Sequence, residues 1–299
     1  MVLFILCLTP CLLAVVILIE MKLAFLVFLG LCFGSFVNAL VWRLRQKELV
    51  SEGKGDKKLV KQLSKANSRS MCPNCHNTLS VADLIPVVSW LMLGGKCRYC
   101  SKPISWQYPI VELATAVLFV FSYIYWPVLI TGTGIVVFGL WLIALTGLVA
   151  LSVYDIKYMI LPNSIIAFTV VVAVFMQVFW QASSVNMAHQ ALMIVIAALL
   201  GSGLFYAIFQ LSGGKWIGGG DVKLAVLLGV LVADPAKMLL VIFLASLGGT
   251  LFSLPLLASG KSRKKLLIPF GPFLIFATYI TVLFGTEIIS WYQRTFLVV

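Results

Sequence analysis

Long apolar runs, separated by short polar segments, dominate the chain. Several of them approach the ~20 residues that an α-helix needs to cross a bilayer. The pattern predicts an all-α, multi-pass membrane protein with about eight transmembrane helices. The predicted spans are 23–42, 110–126, 134–153, 164–181, 190–212, 222–233, 238–258 and 267–289.

Composition supports a membrane protein and excludes an ordinary soluble domain. Hydrophobic residues make up 62% of the chain and charged residues 11%, against roughly 45–50% and ~25% in soluble proteins. The net charge of +12 follows the predicted topology, because 19 of the 22 Lys and Arg residues fall on one side of the spans. That side is predicted to be cytoplasmic. The basic charge therefore indicates a lipid bilayer and its anionic headgroups as a partner, and no nucleic acid.

The first residues leave the count of spans open. Residues 1–19 are apolar, but no Lys or Arg precedes them, so they make a poor secretory signal peptide. They form either a ninth span in a tight hairpin or the upstream part of one long first helix. The predicted division is an uncertain apolar segment (1–22), a first core transmembrane helix (23–42), a small cytoplasmic loop domain (43–109) and a seven-helix membrane domain (110–299).

Four cysteines in the loop predict a metal site. Two C-x-x-C pairs, "CPNC" and "CRYC", are separated by 21 residues, a spacing that resembles a zinc ribbon. Each turn directs two thiolates at one ion, and two turns complete a tetrahedron. A cytoplasmic loop is kept reducing, which disfavours disulfides. We expect a closed and therefore structural Zn²⁺ site formed by Cys72, Cys75, Cys97 and Cys100.

The acidic residues offer the only recognisable catalytic chemistry. The chain has two histidines and no H-E-x-x-H motif, which excludes an intramembrane zinc protease. Asp155 ends one predicted span and Asp221 opens another, so both lie at the same cytoplasmic boundary although 66 residues separate them. Glu112 lies at a similar boundary, and we interpret it as a structural charge. Two carboxyl groups at one depth are what an aspartic hydrolase needs, one ionised to activate water and one protonated to polarise a carbonyl.

Glycines precede the second aspartate in "WIGGGDVKL". Gly218, Gly219 and Gly220 allow backbone conformations closed to other residues and let a substrate strand approach closely. Together with Lys223 they form a predicted supporting loop of the active site. Asp221 is also a credible helix N-cap, because it follows glycines and precedes an apolar helix. That role does not exclude catalysis.

These motifs together resemble the type IV prepilin peptidase family, and the resemblance covers nearly the whole chain from about residue 23. The matching segments are "FGSFVNALVWRL" (33–44), the cysteine segment from "CPNC" to "YPIVEL", "YDIKYMILPN", "GGGDVKL" and "IPFGPFL" (268–274). The chain departs from the family pattern in "WRLR" and in its apolar N-terminal run. Neither departure touches the aspartate motifs.

The resemblance implies a bifunctional enzyme of the bacterial inner membrane, with its active site facing the cytoplasm. Asp155 and Asp221 would be catalytic and the four loop cysteines would be zinc ligands. The enzyme would cleave the short basic leader of type IV prepilins and pseudopilins after a glycine, then methylate the new N-terminus with S-adenosylmethionine. Gly94 and Gly95 match a family region linked to methylation, although a turn required by the zinc site explains them equally well.

Two alternatives remain open at this point. One is a leader peptidase without methyltransferase activity, against which the cysteine domain speaks. The other is a non-enzymatic, zinc-bearing membrane assembly factor, in which the paired aspartates would bind a cation.

Overall fold

A computed structural model of the protein describes residues 2–64, 69–181, 186–258 and 268–296. These residues form α-helices joined by short connections, with a single 3-10 turn (Ala82–Leu84) and no strand among them. The helices are α1 (Val2–Ser51), α2 (Lys57–Leu63), α3 (Val88–Met92), α4 (Gln107–Ile124), α5 (Thr133–Tyr158), α6 (Asn163–Gln181), α7 (Met187–Ser212), α8 (Gly219–Val232), α9 (Pro235–Ala258) and α10 (Gly271–Phe296).

The prediction of an all-α multi-pass membrane protein is confirmed. Within the described part of the chain, seven helices are long and apolar enough to cross a membrane, namely α1, α4, α5, α6, α7, α9 and α10. The predicted span at 222–233 corresponds to α8, whose 14 residues extend only about 21 Å. Its run of residues from Leu227 to Val232 is buried. An apolar run of this length is typical of a core helix covered by other helices.

Residues 2–51 form one continuous helix, α1, which is the second of the two alternatives for the N-terminal segment. The chain divides into two compact units, Met1–Tyr125 and Trp126–Val299. The division between a loop domain and a membrane domain at residues 109 and 110 stays a prediction. Because α4 packs against α1, it belongs to the first unit.

In the first unit, α1 and α4 pack so closely that only glycine fits at two positions of α1. A Cβ atom added to Gly30 would lie 2.5 Å from Cα of Ala116, and one added to Gly34 would lie 2.6 Å from Cα of Glu112. Small residues allow this backbone approach in membrane helices. As residue numbers rise along α1 they fall along α4, so the two helices are antiparallel.

In the second unit, α10 brings the end of α5 and the start of α8 together, because it packs against both helices. The last residues of α8, from Val230 to Val232, are buried. There Gln177 of α6 donates hydrogen bonds from Nε2 to the carbonyls of Val230 (3.1 Å) and Leu231 (3.0 Å). Carbonyls at a helix end need partners where water is excluded. This amide therefore allows a short helix to end in an apolar environment.

Candidate active site and metal centre

Asp155 lies in the last turn of α5, and its helix ends at Met159 in a left-handed conformation. The residue is buried, with 6% of its surface exposed. The backbone N–H of Gly271 donates a hydrogen bond to the carboxylate. Oδ2 is buried and makes no hydrogen bond to any described residue. Unsatisfied buried oxygens are rare in native proteins and point to a functional constraint.

Gly271, the first residue of α10, packs directly on this carboxylate. A Cβ atom added there would lie 2.6 Å from Oδ2 of Asp155, so a larger residue cannot occupy the position without a shift. The helix N-terminus also directs its dipole at the carboxylate, which favours negative charge. Gly271 was not among the predicted site residues. The sequence feature that could have identified it is the Gly-Pro pair that it forms with Pro272. This pair opens a span at the same membrane boundary as the two aspartates.

Asp221 lies in the first turn of α8, but it is not the N-cap, and that expectation was wrong. The N-cap is Gly218, whose backbone is extended (φ −76°, ψ 149°). Asp221 is the third helical residue, and its carboxylate accepts a hydrogen bond from the backbone N–H of Gly218. This backward reach from the third position is half of a capping box. A glycine at the cap has no side chain to make the other half.

The structure brings the two predicted catalytic aspartates together. The charge of Asp155 acts on the carboxyl group of Asp221. Gly271 connects them, because its Cβ position is close to Asp155 and lies 3.7 Å from Cδ2 of Leu224, one turn after Asp221. Two carboxyl groups from different helices therefore lie near the N-terminus of α10, close enough to interact electrostatically.

The segments around the two aspartates are also joined by direct contacts. Nζ of Lys223 donates a hydrogen bond of 2.9 Å to Oδ1 of Asn163, the first residue of α6. A Cβ atom on Gly220 would lie 3.2 Å from Cδ1 of Leu161, which is buried. Both Leu161 and Asn163 belong to the "YDIKYMILPN" motif. The two aspartate motifs thus form one structural unit.

The three glycines before Asp221 differ in how closely other residues pack against them. None of them has a positive φ, so the predicted need for unusual backbone conformations is not met. Gly220 packs tightly against its neighbour, whereas a Cβ on Gly218 or Gly219 would meet nothing closer than 3.9 Å. Only Gly220 is therefore required by space within the protein. The space around Gly218 and Gly219 leaves their backbone accessible to a substrate chain.

The four predicted metal ligands form one cluster in the first unit. The Sγ atoms of Cys72, Cys75, Cys97 and Cys100 all lie within 4.8 Å of one another, and those of Cys72 and Cys100 are 4.0 Å apart. A Zn–S distance of about 2.3 Å in a tetrahedron gives S···S distances of about 3.8 Å. The cluster therefore fits a tetrahedral thiolate site and could hold a metal ion.

Two turns of the same geometry build this cluster. In each, the residue after the second cysteine adopts a positive φ, 58° at His76 and 55° at Ser101, and its N–H donates to the carbonyl of the first cysteine. Isolated antiparallel bridges flank the turns, Met71 to Thr78 and Lys96 to Pro103. Backbone N–H groups within each turn point at the sulfur of the first cysteine. Such hydrogen bonds stabilise a thiolate.

Gly94 and Gly95 form the turn that precedes the second cysteine pair. Their φ angles are +58° and +67°, which favour glycine. The N–H of Gly95 donates to the carbonyl of Trp90 (2.8 Å), and a Cβ on Gly95 would lie 2.9 Å from the Trp90 ring. The turn and this packing account for both glycines without a methyl donor. Their predicted role in methylation stays a prediction.

Glu112 is buried between α1 and α4, with 6% of its surface exposed. Its Oε2 accepts a hydrogen bond of 2.7 Å from the N–H of Val87, and the hydroxyl of Ser35 also donates to the carboxylate. Glu112 therefore ties residues of the loop to the two helices. These contacts support a structural role.

Comparison with known proteins yields two adjacent family matches. Residues 28–126 match the Bacterial Peptidase A24 N-terminal domain, and residues 142–254 match the Type IV leader peptidase family. The second match includes both aspartates, and the first includes all four clustered cysteines.

Curated relatives match over most of their length. The chain is 32% identical to a Prepilin leader peptidase/N-methyltransferase of Aeromonas salmonicida (strain A449), over 91% of this chain and 94% of the relative. A protein of the same name from Bacillus subtilis (strain 168) is 32% identical over 76% of this chain and 86% of its own. The Type 4 prepilin-like proteins leader peptide-processing enzyme of Escherichia coli O78:H11 is 32% identical over 81% and 87%. No solved structure matches the chain.

Proposed function

The chain belongs to the type IV leader peptidase family, and we propose that it cleaves the leader of type IV prepilins and pseudopilins with Asp155 and Asp221 as its catalytic pair. The observation that carries this proposal is the position of both carboxyl groups near the N-terminus of α10, within electrostatic reach of each other. The relatives named for prepilin processing and N-methylation supply the substrate class.

Cleavage follows from two carboxyl groups that share one proton. The ionised aspartate takes a proton from water while the water oxygen attacks the carbonyl carbon of the scissile bond. The protonated aspartate gives its proton to the carbonyl oxygen, and a tetrahedral intermediate forms. As the intermediate collapses, the C–N bond breaks, the amine leaves with a proton and the pair regains its starting state.

The surroundings of the pair suit this chemistry. Charge repulsion opposes ionisation of both carboxyl groups, since two charges ~4 Å apart at an effective dielectric near 20 repel by about 4 kcal/mol. The N-termini of α8 and α10 compensate the one negative charge that remains. The unsatisfied Oδ2 of Asp155 has hydrogen-bonding capacity for a water or a substrate carbonyl.

We propose that the four clustered cysteines bind one Zn²⁺ ion. The support is the agreement between the sulfur separations and a tetrahedral thiolate site. Four protein ligands leave no position for water or substrate, so the ion would hold the two turns together and take no part in cleavage.

The second proposed activity is methylation of the new N-terminal amine, for which S-adenosylmethionine would supply the methyl group. The names of the relatives support this activity. The geometry of Gly94 and Gly95 is accounted for by a turn, so we assign no residue to the methyl donor on structural grounds. A leader peptidase without methylation and a non-enzymatic assembly factor are the alternatives that the family membership disfavours.

We propose that the protein lies in the bacterial inner membrane with the aspartate pair facing the cytoplasm. The one-sided distribution of Lys and Arg supports this orientation.

The test of function is reconstitution of the purified chain with a prepilin in lipid vesicles containing S-adenosylmethionine. Mass spectrometry of the product reads leader loss and methylation separately. We expect a product shortened after the leader glycine that carries one methyl group. A shortened, unmethylated product would contradict the methyltransferase activity alone, whereas an intact prepilin would contradict both activities.

A further inference from the structure

An apolar surface is exposed on the segment between the two cysteine pairs. Residues 81–92, which we call the interface segment, contain the 3-10 turn and α3. Five of its apolar side chains face away from the protein, with exposed fractions that are high for such residues: Val81 75%, Ile85 47%, Val88 47%, Leu91 64% and Met92 82%. A contiguous surface of this kind marks an interaction site.

The hydrogen bond between Val87 and Glu112 indicates the depth of this segment. Helix α4 has 18 residues and is about 27 Å long, so it needs its whole length to cross a hydrocarbon core of about 30 Å. Glu112 is its sixth residue. The Val87 N–H is 2.7 Å from that carboxylate. The middle of the interface segment therefore lies at the membrane boundary or on its hydrocarbon side.

The alignment of α1 with α4 indicates the same depth for the interface segment. Nδ2 of Asn38 donates to the carbonyl of Tyr108 (3.1 Å), so these residues lie at one level. Arg43, the first cation after the apolar part of α1, is five residues further along. It therefore lies about 8 Å beyond Tyr108. The start of α4, and the interface segment beside it, lie on the membrane side of that charge.

The backbone holds the segment in this position. Val87 has a φ of +61°, which is a strained conformation for a β-branched residue, and its N–H is the group that binds Glu112. Next to it, the rings of Trp90 and Trp106 lie 4.2 Å apart, and Trp106 is 67% exposed. Tryptophan is enriched at the level of lipid headgroups.

The only charge within the segment is directed away from its apolar side. Asp83 accepts hydrogen bonds from Nε of Arg98 (2.7 Å), from Ser80 and from Tyr99. Burial opposes ionisation, but the bonds from Ser80 and Arg98 hold the pKa of Asp83 below its usual range. These contacts also connect the segment to the second cysteine turn, where Arg98 and Tyr99 lie.

We propose that the interface segment lies in the membrane, with Val81, Ile85, Val88, Leu91 and Met92 inserted among the lipids of the leaflet that α4 enters. Exposed Lys96 and Lys102 follow it in the chain, and their charge suits anionic headgroups. An apolar face with cations nearby in the chain is typical of an in-plane membrane segment. The cysteine cluster then sits on the membrane surface, and the loop at 43–109 is not wholly in the aqueous phase.

Photo-crosslinking tests this placement in the full-length protein. A benzophenone amino acid replaces Met92 in one variant and the exposed Asn74 of the first cysteine turn in another, each in vesicles of phosphatidylethanolamine and phosphatidylglycerol. After illumination, mass spectrometry of the chain should find about ten times more phospholipid adduct at position 92 than at position 74. Equal yields at the two positions would overturn the proposal. So would a dominant crosslink from position 92 to a second copy or to an added prepilin.

A second measurement needs no unnatural residue. Brominated phospholipids quench tryptophan fluorescence on contact, so replacing Trp106 by Phe should lower the quenchable fraction measurably. An unchanged fraction in a folded Trp106→Phe variant would place this ring outside the lipid and contradict the inference.

Discussion

Gly271 leaves no space for a side chain beside Asp155, because a Cβ atom at that position would lie 2.6 Å from the Oδ2 atom of the carboxylate. The same residue donates its backbone N–H to that carboxylate. The start of α10 thus sets the position of one proposed catalytic group, and α8 carries the other next to it. The proposed active site depends on three helices, although only two of them supply a proposed catalytic aspartate.

Replacing Gly271 by alanine should therefore displace Asp155 and lower the rate of leader cleavage by about a hundredfold, the size expected for an ångström-scale misplacement. The measurement is prepilin cleavage by the purified variant in vesicles. Gly203→Ala is the matched control, because Gly203 lies within α7 and a Cβ there would meet nothing within 4 Å. Near-normal cleavage by Gly271→Ala would contradict the role of this contact.

The contact between Lys223 and Asn163 offers a milder perturbation. Both side chains are exposed, and one hydrogen bond is worth about 1 kcal/mol, so Lys223→Ala should slow cleavage about threefold to tenfold. Asn163→Ala should have a similar effect. The double variant should be no slower than either single variant, because each removes the same bond. Additive losses would show that the two residues act separately.

Much of this arrangement could be predicted from the sequence. Span lengths and the distribution of charge predicted a helical membrane protein, and the position of Asp155 and Asp221 at span boundaries placed them at one depth. The sequence marks Gly271 only by its Gly-Pro pair, and its close contact with Asp155 could not be predicted, because that contact depends on how α10 packs against α5. The sequence made Asp221 a credible N-cap because aspartate is a strong capping residue, yet the N-cap of α8 is Gly218, three residues earlier, with an extended backbone.

The metal site gives a prediction that is independent of the aspartates. Because the two cysteine turns have the same geometry, Cys72→Ser and Cys97→Ser should each reduce bound zinc to less than about half an equivalent per chain. Elemental analysis of purified protein measures this. Cys32→Ser, which changes a cysteine of α1 outside the cluster, should retain one equivalent. A wild-type protein without zinc, or a variant of either turn that keeps it, would contradict the site.

Glu112 should matter for stability and not for cleavage. Glu112→Ala leaves the part-buried N–H of Val87 without its acceptor and should lower the free energy of unfolding by about 1–3 kcal/mol. Glu112→Gln keeps an acceptor oxygen, so it should cost less. Denaturant unfolding in detergent measures both. Loss of cleavage in a stable Glu112→Gln variant would show that a catalytic carboxylate had been overlooked.

The central claim is that Asp155 and Asp221 act as one acid–base pair. Asparagine keeps the size of aspartate and can still form hydrogen bonds, but it cannot exchange a proton with water or substrate. Asp234→Asn is the matched control, since Asp234 caps α9 through a hydrogen bond to the N–H of Lys237 (2.9 Å) and asparagine caps equally well.

The most direct measurement is the rate of prepilin cleavage by Asp155→Asn, Asp221→Asn, the double variant and Asp234→Asn, in vesicles with equal amounts of inserted, zinc-loaded protein. We expect no detectable cleavage by either single variant, no further loss in the double variant, because the two groups act as a unit, and normal cleavage by Asp234→Asn. Substantial cleavage by either Asp155→Asn or Asp221→Asn would contradict the catalytic pair.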